Sequence, residues 1–279
     1  MREWLISSLN RFAHVSHLDD YVRVYPDGLA YYPFPVRIRK KPTREEVCNY
    51  LNHEKFYRFC SQFVENKTVG DVGCGSGYGS KILSVSGAKC VYGVDISNHA
   101  VKFARNHYSE FARFSRMSAT NLEGYPDNIF DVTVCSEVLE HIKDKAHDAI
   151  CEMKRTTSSG GLIIIGTPNS EMLPSHGFDF YEISSLLKKN FLTFHIFENA
   201  LVPFGEARGK WEARLAKRHI GIVVTENINI EETVISEGAN PELKMGIQPG
   251  VLSLGLLRVD TKPLHNTHSW LILAVNNKE

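Results

Sequence analysis

Neither sign of charge dominates this 279-residue chain: 32 lysines and arginines face 32 aspartates and glutamates, for a formal net charge of zero. Without a basic surplus it lacks the usual electrostatic grip on polynucleotides or anionic membranes, so nucleic acid is not an expected partner. Long apolar runs are also missing. None reaches the roughly 20 residues that a helix needs to cross a bilayer. Met1 to Val22 carries Arg2, Glu3 and Arg11 where a secretory leader would hold an unbroken apolar stretch. Cysteine is scarce and scattered. Its six positions, Cys48, Cys60, Cys74, Cys90, Cys135 and Cys151, form no Cys-x-x-Cys pair. That argues against a zinc site or a disulfide framework, and for small core side chains in a reducing compartment. Internal repeats and low-complexity tracts are absent too. These absences leave a cytoplasmic globular protein without membrane insertion, large enough for one α/β domain with elaborations. They set no oligomeric state.

What is present is alternation. Apolar strand-like runs at Thr68–Val72, Cys90–Asp95, Phe114–Met117, Phe130–Cys135, Leu162–Gly166 and Phe191–Phe197 are separated by helical patterns. The helices are expected from Gly79 to about Ser86, over Asn98–Tyr108 behind a Ser97 N-cap, over Ala146–Thr156 and over Tyr181–Lys189. Such an order builds a mostly parallel sheet with helices on both faces. Outside it, residues 1–45 read as an N-terminal extension: a short amphipathic helix to about Ser16, then a proline- and aromatic-rich stretch placed as a lid. A Thr43-x-x-Glu46 capping pattern opens the main domain, residues 46–279. Residues 205–265, beginning with a helical pattern over Gly205–His219, break the rhythm before the final strand Ser269–Val275. A connection of that length is expected to be functional, here by shaping an acceptor pocket.

The segment Asp71-Val72-Gly73-Cys74-Gly75-Ser76-Gly77 joins the first of these strands to its helix. Glycines in such a turn let the backbone take positive φ and pass close beneath a ligand. A phosphate-cradling P-loop would need glycine at Tyr78 and lysine at Gly79, and a dinucleotide fingerprint would need glycine at Tyr78 or Ser80. Both fail. The remaining form, Asp-x-Gly-x-Gly-x-Gly with Asp95 ending the next strand, resembles the class I S-adenosylmethionine-dependent methyltransferases. Phe130–Ile142 and Gly160–Asn169 resemble the fourth and fifth strand motifs of the ubiquinone-biosynthesis-like branch. The resemblance covers about residues 45 to 200. It implies a Rossmann-like seven-stranded sheet whose last strand, Ser269–Val275, runs antiparallel beside the fifth.

The resemblance also assigns roles. Gly73, Cys74, Gly75 and Gly77 line the S-adenosylmethionine site, Asp71 lies near its methionine ammonium, and Asp95 takes the ribose hydroxyls. Ile96 flanks the adenine. Ser118-Ala119 stands where the family usually has Asp-Ala, so serine must replace the charge on the adenine amino group. Cys135 and Ser136 approach the methionine portion. Tyr57 and Arg58 belong to a helix that covers the cofactor in methyltransferases of sugar and glycan pathways, whose loop after the fifth strand resembles residues 168–182. Glu137, Glu140 and His141, with the distant His176, match the Glu-Glu-His-His set that some relatives use for magnesium. Related loops also occur without metal, and a metal-free site is the expectation, with magnesium as the alternative. His141 and His176 are the candidate general bases, with Tyr181 and Glu182 behind them.

The expected activity is methyl transfer to a hydroxyl of a small polar acceptor, a sugar or glycan precursor. The alternatives are an RNA ribose 2′-O-methyltransferase using the magnesium set, and a non-catalytic S-adenosylmethionine-binding protein.

Overall fold

The computed structural model of the chain describes residues 53, 56–171, 176–200 and 267–278, with isolated strand segments at 23–24, 30–31, 221–222, 235–236 and 253–257. In chain order the strands are β1 (Arg23–Val24), β2 (Ala30–Tyr31), β3 (Thr68–Val72), β4 (Cys90–Asp95), β5 (Arg113–Arg116), β6 (Phe130–Ser136), β7 (Thr157–Pro168), β8 (Thr193–Ala200), β9 (Gly221–Ile222), β10 (Ile235–Ser236), β11 (Ser253–Leu257) and β12 (Thr267–Val275). The helices are α1 (Tyr78–Val85), α2 (Asn98–Tyr108), α3 (Ala146–Thr156) and α4 (Phe180–Asn190). The expected helices at the N-terminus and over Gly205–His219 and the Thr43–Glu46 cap lie outside the described residues, and of the stretch placed as a lid only the β1–β2 pair is described.

The main sheet has the order β11-β8-β12-β7-β6-β3-β4-β5. The pairs from β7 through β6, β3 and β4 to β5 are parallel. β12 inserts antiparallel between β7 and β8, as expected for the final strand. The seven expected strands are β8, β12, β7, β6, β3, β4 and β5, and β11, from the stretch read as an insertion, adds an edge strand antiparallel to β8. β7 is also longer than the apolar run Leu162–Gly166. Its ladder extends back to Thr157, whose hydroxyl pairs with Thr133 of β6 at 2.6 Å.

Packing follows from the strand pattern. β7 is central and its Ile163, Ile164 and Ile165 are all fully buried, the continuous apolar run of a strand covered on both faces. Alternation sends Ile164 into one core with Val69, Val132 and Leu271, and Ile163 and Ile165 into the other with Leu139, Ile150 and Trp270. On α2 the buried residues Ala100, Val101, Ala104 and Tyr108 form one stripe, and Ser97 Oγ caps it by accepting from the Ala100 N–H at 3.2 Å. α4 starts with a reciprocal capping box between Asp179 and Glu182. Residues 56–60 are helical and lie over the sheet, where the rings of Phe56 and Tyr57 fill the spaces that side chains at Gly166 and Gly79 would need.

Candidate active site

β3 lies between β4 and β6, so successive connections leave it in opposite directions and open a crevice at its carboxyl end. The glycine turn lines that crevice. Gly73, Gly75 and Gly77 have φ of 78°, 53° and 89°. The Gly73 and Cys74 N–H groups donate to the Val94 carbonyl at 2.7 and 2.9 Å, which fastens the turn to β4. A Cβ at Gly73 would strike Val138, whereas one at Gly75 would meet nothing within 4 Å. Gly75 is therefore the glycine whose face is open to a ligand. Asp95 closes the arrangement: Oδ2 accepts from the Gly75 N–H at 2.9 Å and Oδ1 from the Ser97 N–H at 2.8 Å. Each oxygen keeps a further lone pair for a ligand hydroxyl.

The other predicted cofactor residues divide into two groups. Ile96 and Ser118-Ala119 stand beyond the ends of neighbouring strands β4 and β5, on the side of the crevice marked by Asp95. Ser118 Oγ is engaged with Thr120, at 2.8 Å to its hydroxyl and 3.2 Å to its N–H, so it stabilises its own turn. Cys135 and Ser136 end β6 and are buried, and burial pushes the Cys135 thiol well up. Asp71 is a wall rather than an open ligand. It is fully buried, with Oδ1 accepting from Tyr57 Oη at 3.0 Å and Oδ2 from Ser80 Oγ at 2.6 Å. Burial raises its pKa to about 6 against the lowering effect of the Ser80 and Tyr57 hydroxyls. Tyr57 thus joins the preceding helix to the base of the glycine turn, while Arg58 is exposed.

The second half of the site is made of side chains. Glu137 follows β6 with φ of 54°, a left-handed conformation that costs a non-glycine residue roughly 1–2 kcal/mol. Its N–H is held by the Gly166 carbonyl at 2.8 Å. The chain then enters 3-10 turns over Leu139–Lys145, interrupted at Ile142, so Glu137 to His141 do not share one helical turn. The turns still bring Glu140 and His141 to the end of the sheet, where His176 arrives from the loop after β7. One ligand atom from each of these three lies within 4.8 Å of the others. Glu140 Oε1 is 3.9 Å from His141 Nε2 and 4.0 Å from His176 Nε2, and the two rings are 4.9 Å apart. Oε1 is buried without a hydrogen-bond partner, while Oε2 accepts from Thr167 Oγ1 at 3.0 Å. Burial raises Glu140 to about 7, and burial together with the Glu140 charge raises Glu137 well above the ordinary carboxylate range. Partial burial holds His176 below its ordinary value, hence neutral near pH 7. Tyr181 is exposed and Glu182 is taken up by the α4 cap and Lys143, so neither joins this cluster. Val138, the residue against Gly73, ties the two halves together.

A glycine turn at a switch point, an acidic residue on the next strand and an antiparallel last strand define the class I methyltransferase fold. The family described as "Methyltransferase domain" matches residues 70–165. A ubiquinone biosynthesis O-methyltransferase of Nitrosomonas europaea is 35% identical over 109 residues, 38% of this chain and 46% of the relative. The chain thus spans about half the length of the curated relatives it matches. Among solved structures, the YcgJ protein of Bacillus subtilis is similar with a TM-score of 0.51 at 16% identity, covering 81% of this chain and 100% of the other. The cyclase SpnF is similar at the same TM-score of 0.51 and 15% identity, covering 99% of this chain and 94% of that one. These likenesses establish the fold, and the cyclase among them means that the reaction must be argued from the site.

Two residues that proved structurally central escaped the sequence reading. Thr167 stands in the β7 motif and Trp270 in the last strand, yet neither carried a functional signal of its own. A hydroxyl at the end of a buried strand, beside a motif rich in carboxylates, is the clue that was available.

Proposed function

We propose that the chain binds S-adenosylmethionine at the glycine turn and transfers its methyl group to a hydroxyl oxygen of a small polar acceptor, with a divalent cation at Glu140, His141 and His176. The observation that carries the acceptor half is Glu140 Oε1, a buried and unpaired carboxylate oxygen facing two imidazole nitrogens. An orphaned buried acceptor is costly, and a cation is the partner that satisfies it together with both rings. The donor set of Glu140, His141 and His176 fits such an ion, and Glu137 is not among the atoms that converge there. Nitrogen donors favour Mn²⁺ or Co²⁺ over Mg²⁺, which prefers oxygen throughout. This reverses the metal-free preference of the bare sequence.

Each residue then has a task. Gly75 leaves room for the cofactor backbone side, and Asp95 offers its remaining lone pairs to the ribose hydroxyls. The sulfonium supplies a methyl group that is already activated. A bound cation supplies acidity to a coordinated hydroxyl. Glu140, His141 and His176 hold that position from the buried side, leaving the exposed side for the acceptor oxygen. Either imidazole, when not engaged with an ion, is placed to take the hydroxyl proton. A sugar or glycan precursor suits this opening, since its hydroxyls are exposed polar groups that need orientation more than apolar contact. Oxygen methylation is also the activity in the name of the Nitrosomonas relative.

A terminal ribose of RNA would present the same chemistry, and the Glu-His-His convergence favours it as a second reading. The chain's zero net charge counts against a polynucleotide grip. The test is transfer of a labelled methyl group from S-adenosylmethionine to saccharides, catechols and short RNAs, with and without EDTA. We expect saccharide methylation that EDTA abolishes and Mn²⁺ restores. Methylation indifferent to EDTA would remove the cation, and salt-sensitive methylation of RNA alone would replace the acceptor.

A further inference from the structure

The cation cluster joins two loops, and a single cross-strand pair touches both. Thr167 of β7 and Trp270 of β12 are directly opposite in the antiparallel register. Facing residues in such a pair share one side of the sheet. Thr167 Oγ1 donates to Glu140 Oε2 at 3.0 Å, which turns the other oxygen toward the imidazoles. Trp270 Nε1 donates to the Phe178 carbonyl at 2.8 Å, two residues beyond His176. Both side chains are buried, Thr167 fully and Trp270 to within 1%.

The His176 loop is pinned at the same place by its backbone. The Phe178 N–H donates to the Pro168 carbonyl at 3.0 Å, and the Ser170 N–H donates to the Phe178 carbonyl at 3.2 Å. Gly177, with φ of 109°, sits so close to Pro168 that a Cβ would lie 2.2 Å from its carbonyl oxygen. Phe180 packs its ring 5.7 Å from the Trp270 indole.

We infer that the Thr167–Trp270 pair is the positioning device of the cation site: Thr167 fixes which oxygen of Glu140 is offered, and Trp270 fixes how far His176 stands from it. Neither residue touches the ion or the reacting atoms. The pair acts because Oε1 of Glu140 and the two Nε2 atoms must meet within one coordination sphere, and each of its members holds one of the two loops that bear them. The inference rests on the cation reading above.

The test is Mn²⁺ binding to the full chain, followed by electron paramagnetic resonance, alongside the affinity for S-adenosylmethionine. Thr167→Val removes the donor at nearly constant volume and should weaken Mn²⁺ about 10–100-fold, the range for outer-sphere partners of metal ligands. Thr167→Ser keeps the hydroxyl and should stay within about threefold of the parent. Trp270→Phe keeps the ring against Phe180, removes the N–H and should weaken Mn²⁺ about tenfold. S-Adenosylmethionine affinity should be unchanged in all three, a pattern that general loosening would not give. Equal Mn²⁺ affinity in parent and Thr167→Val overturns the inference while leaving the cation reading intact. A parent protein that binds no Mn²⁺ overturns both. If Thr167→Val does not fold, Trp270→Phe decides.

Discussion

The two halves of the site are built from different materials. The cofactor half is backbone: three glycines of positive φ, two N–H groups on the Val94 carbonyl and a carboxylate that accepts from two more. The half proposed for the acceptor is side chain: a carboxylate and two imidazoles held by a hydroxyl and an indole. A backbone site is specified locally, because a turn that needs glycine writes glycine at fixed spacing. A side-chain site is specified at a distance, because its geometry depends on which strands pair. The first kind tolerates variation in everything except conformation. The second tolerates variation in conformation only where its anchors hold.

Substitutions should separate the halves. The largest effect is expected at Glu140. Glu140→Gln removes the charge while keeping the shape, and methyl transfer should fall at least about 100-fold, beyond the range of outer-sphere partners. S-Adenosylmethionine affinity, read by calorimetry, should move less than about twofold if the halves are energetically separate. A matching loss of cofactor affinity would show them to be one site.

Asp71 tests the support beneath the cradle. Its folded pKa of about 6 lies above the ordinary 3.8, so the native state takes up the proton first. The ionised, buried carboxylate is the costly form, and stability falls as pH rises from about 4 through 6 and levels off above. Between the ends of that window the contribution is roughly 2 kcal/mol. Glu140 and Glu137 push in the same direction, so the comparison is with Asp71→Asn, which should lose this share of the slope. Urea titrations at pH 4.5 and 7.5 on both proteins give the number, and parallel slopes would refute it. Smaller still, Gly75→Ala should cost roughly 1–2 kcal/mol through its φ of 53°, about tenfold in cofactor affinity, with Mn²⁺ binding untouched.

The same contrast explains what could be read from the sequence. β3, β4, α2 and α3 have the bounds that periodicity and the Ser97 cap gave them, since those signals are local. β7 is longer than its apolar run because Thr157 to Gly161 is polar and glycine-rich, and its strand character comes from Thr157 pairing with Phe130 of β6 and from backbone bonds of Gly160 and Gly161 to Asn276. The eighth strand was missed because Ser253–Leu257 is an edge, defined by its partner β8 rather than by its own pattern. In the site, Glu137, Glu140, His141 and His176 were all nameable from the family resemblance. The convergence of Glu140, His141 and His176 was not, since it depends on the left-handed turn at Glu137, the break at Ile142 and the Gly177 contact with Pro168. Asp71 was recognisable as part of the motif, but its burial under Tyr57 and Ser80 was not.

The rings of Phe56 and Tyr57 fill the places of missing side chains at Gly166 and Gly79. The matched family model begins at residue 70 and stops at 165, so it includes Gly79 and excludes both rings, Gly166, and all of β12. The matched stretch is therefore less than what folds. A fragment cut at those limits would leave the space over Gly79 vacant and β7 as a raw sheet edge. The part of the chain that looks least like its relatives is what allows the familiar part to stand.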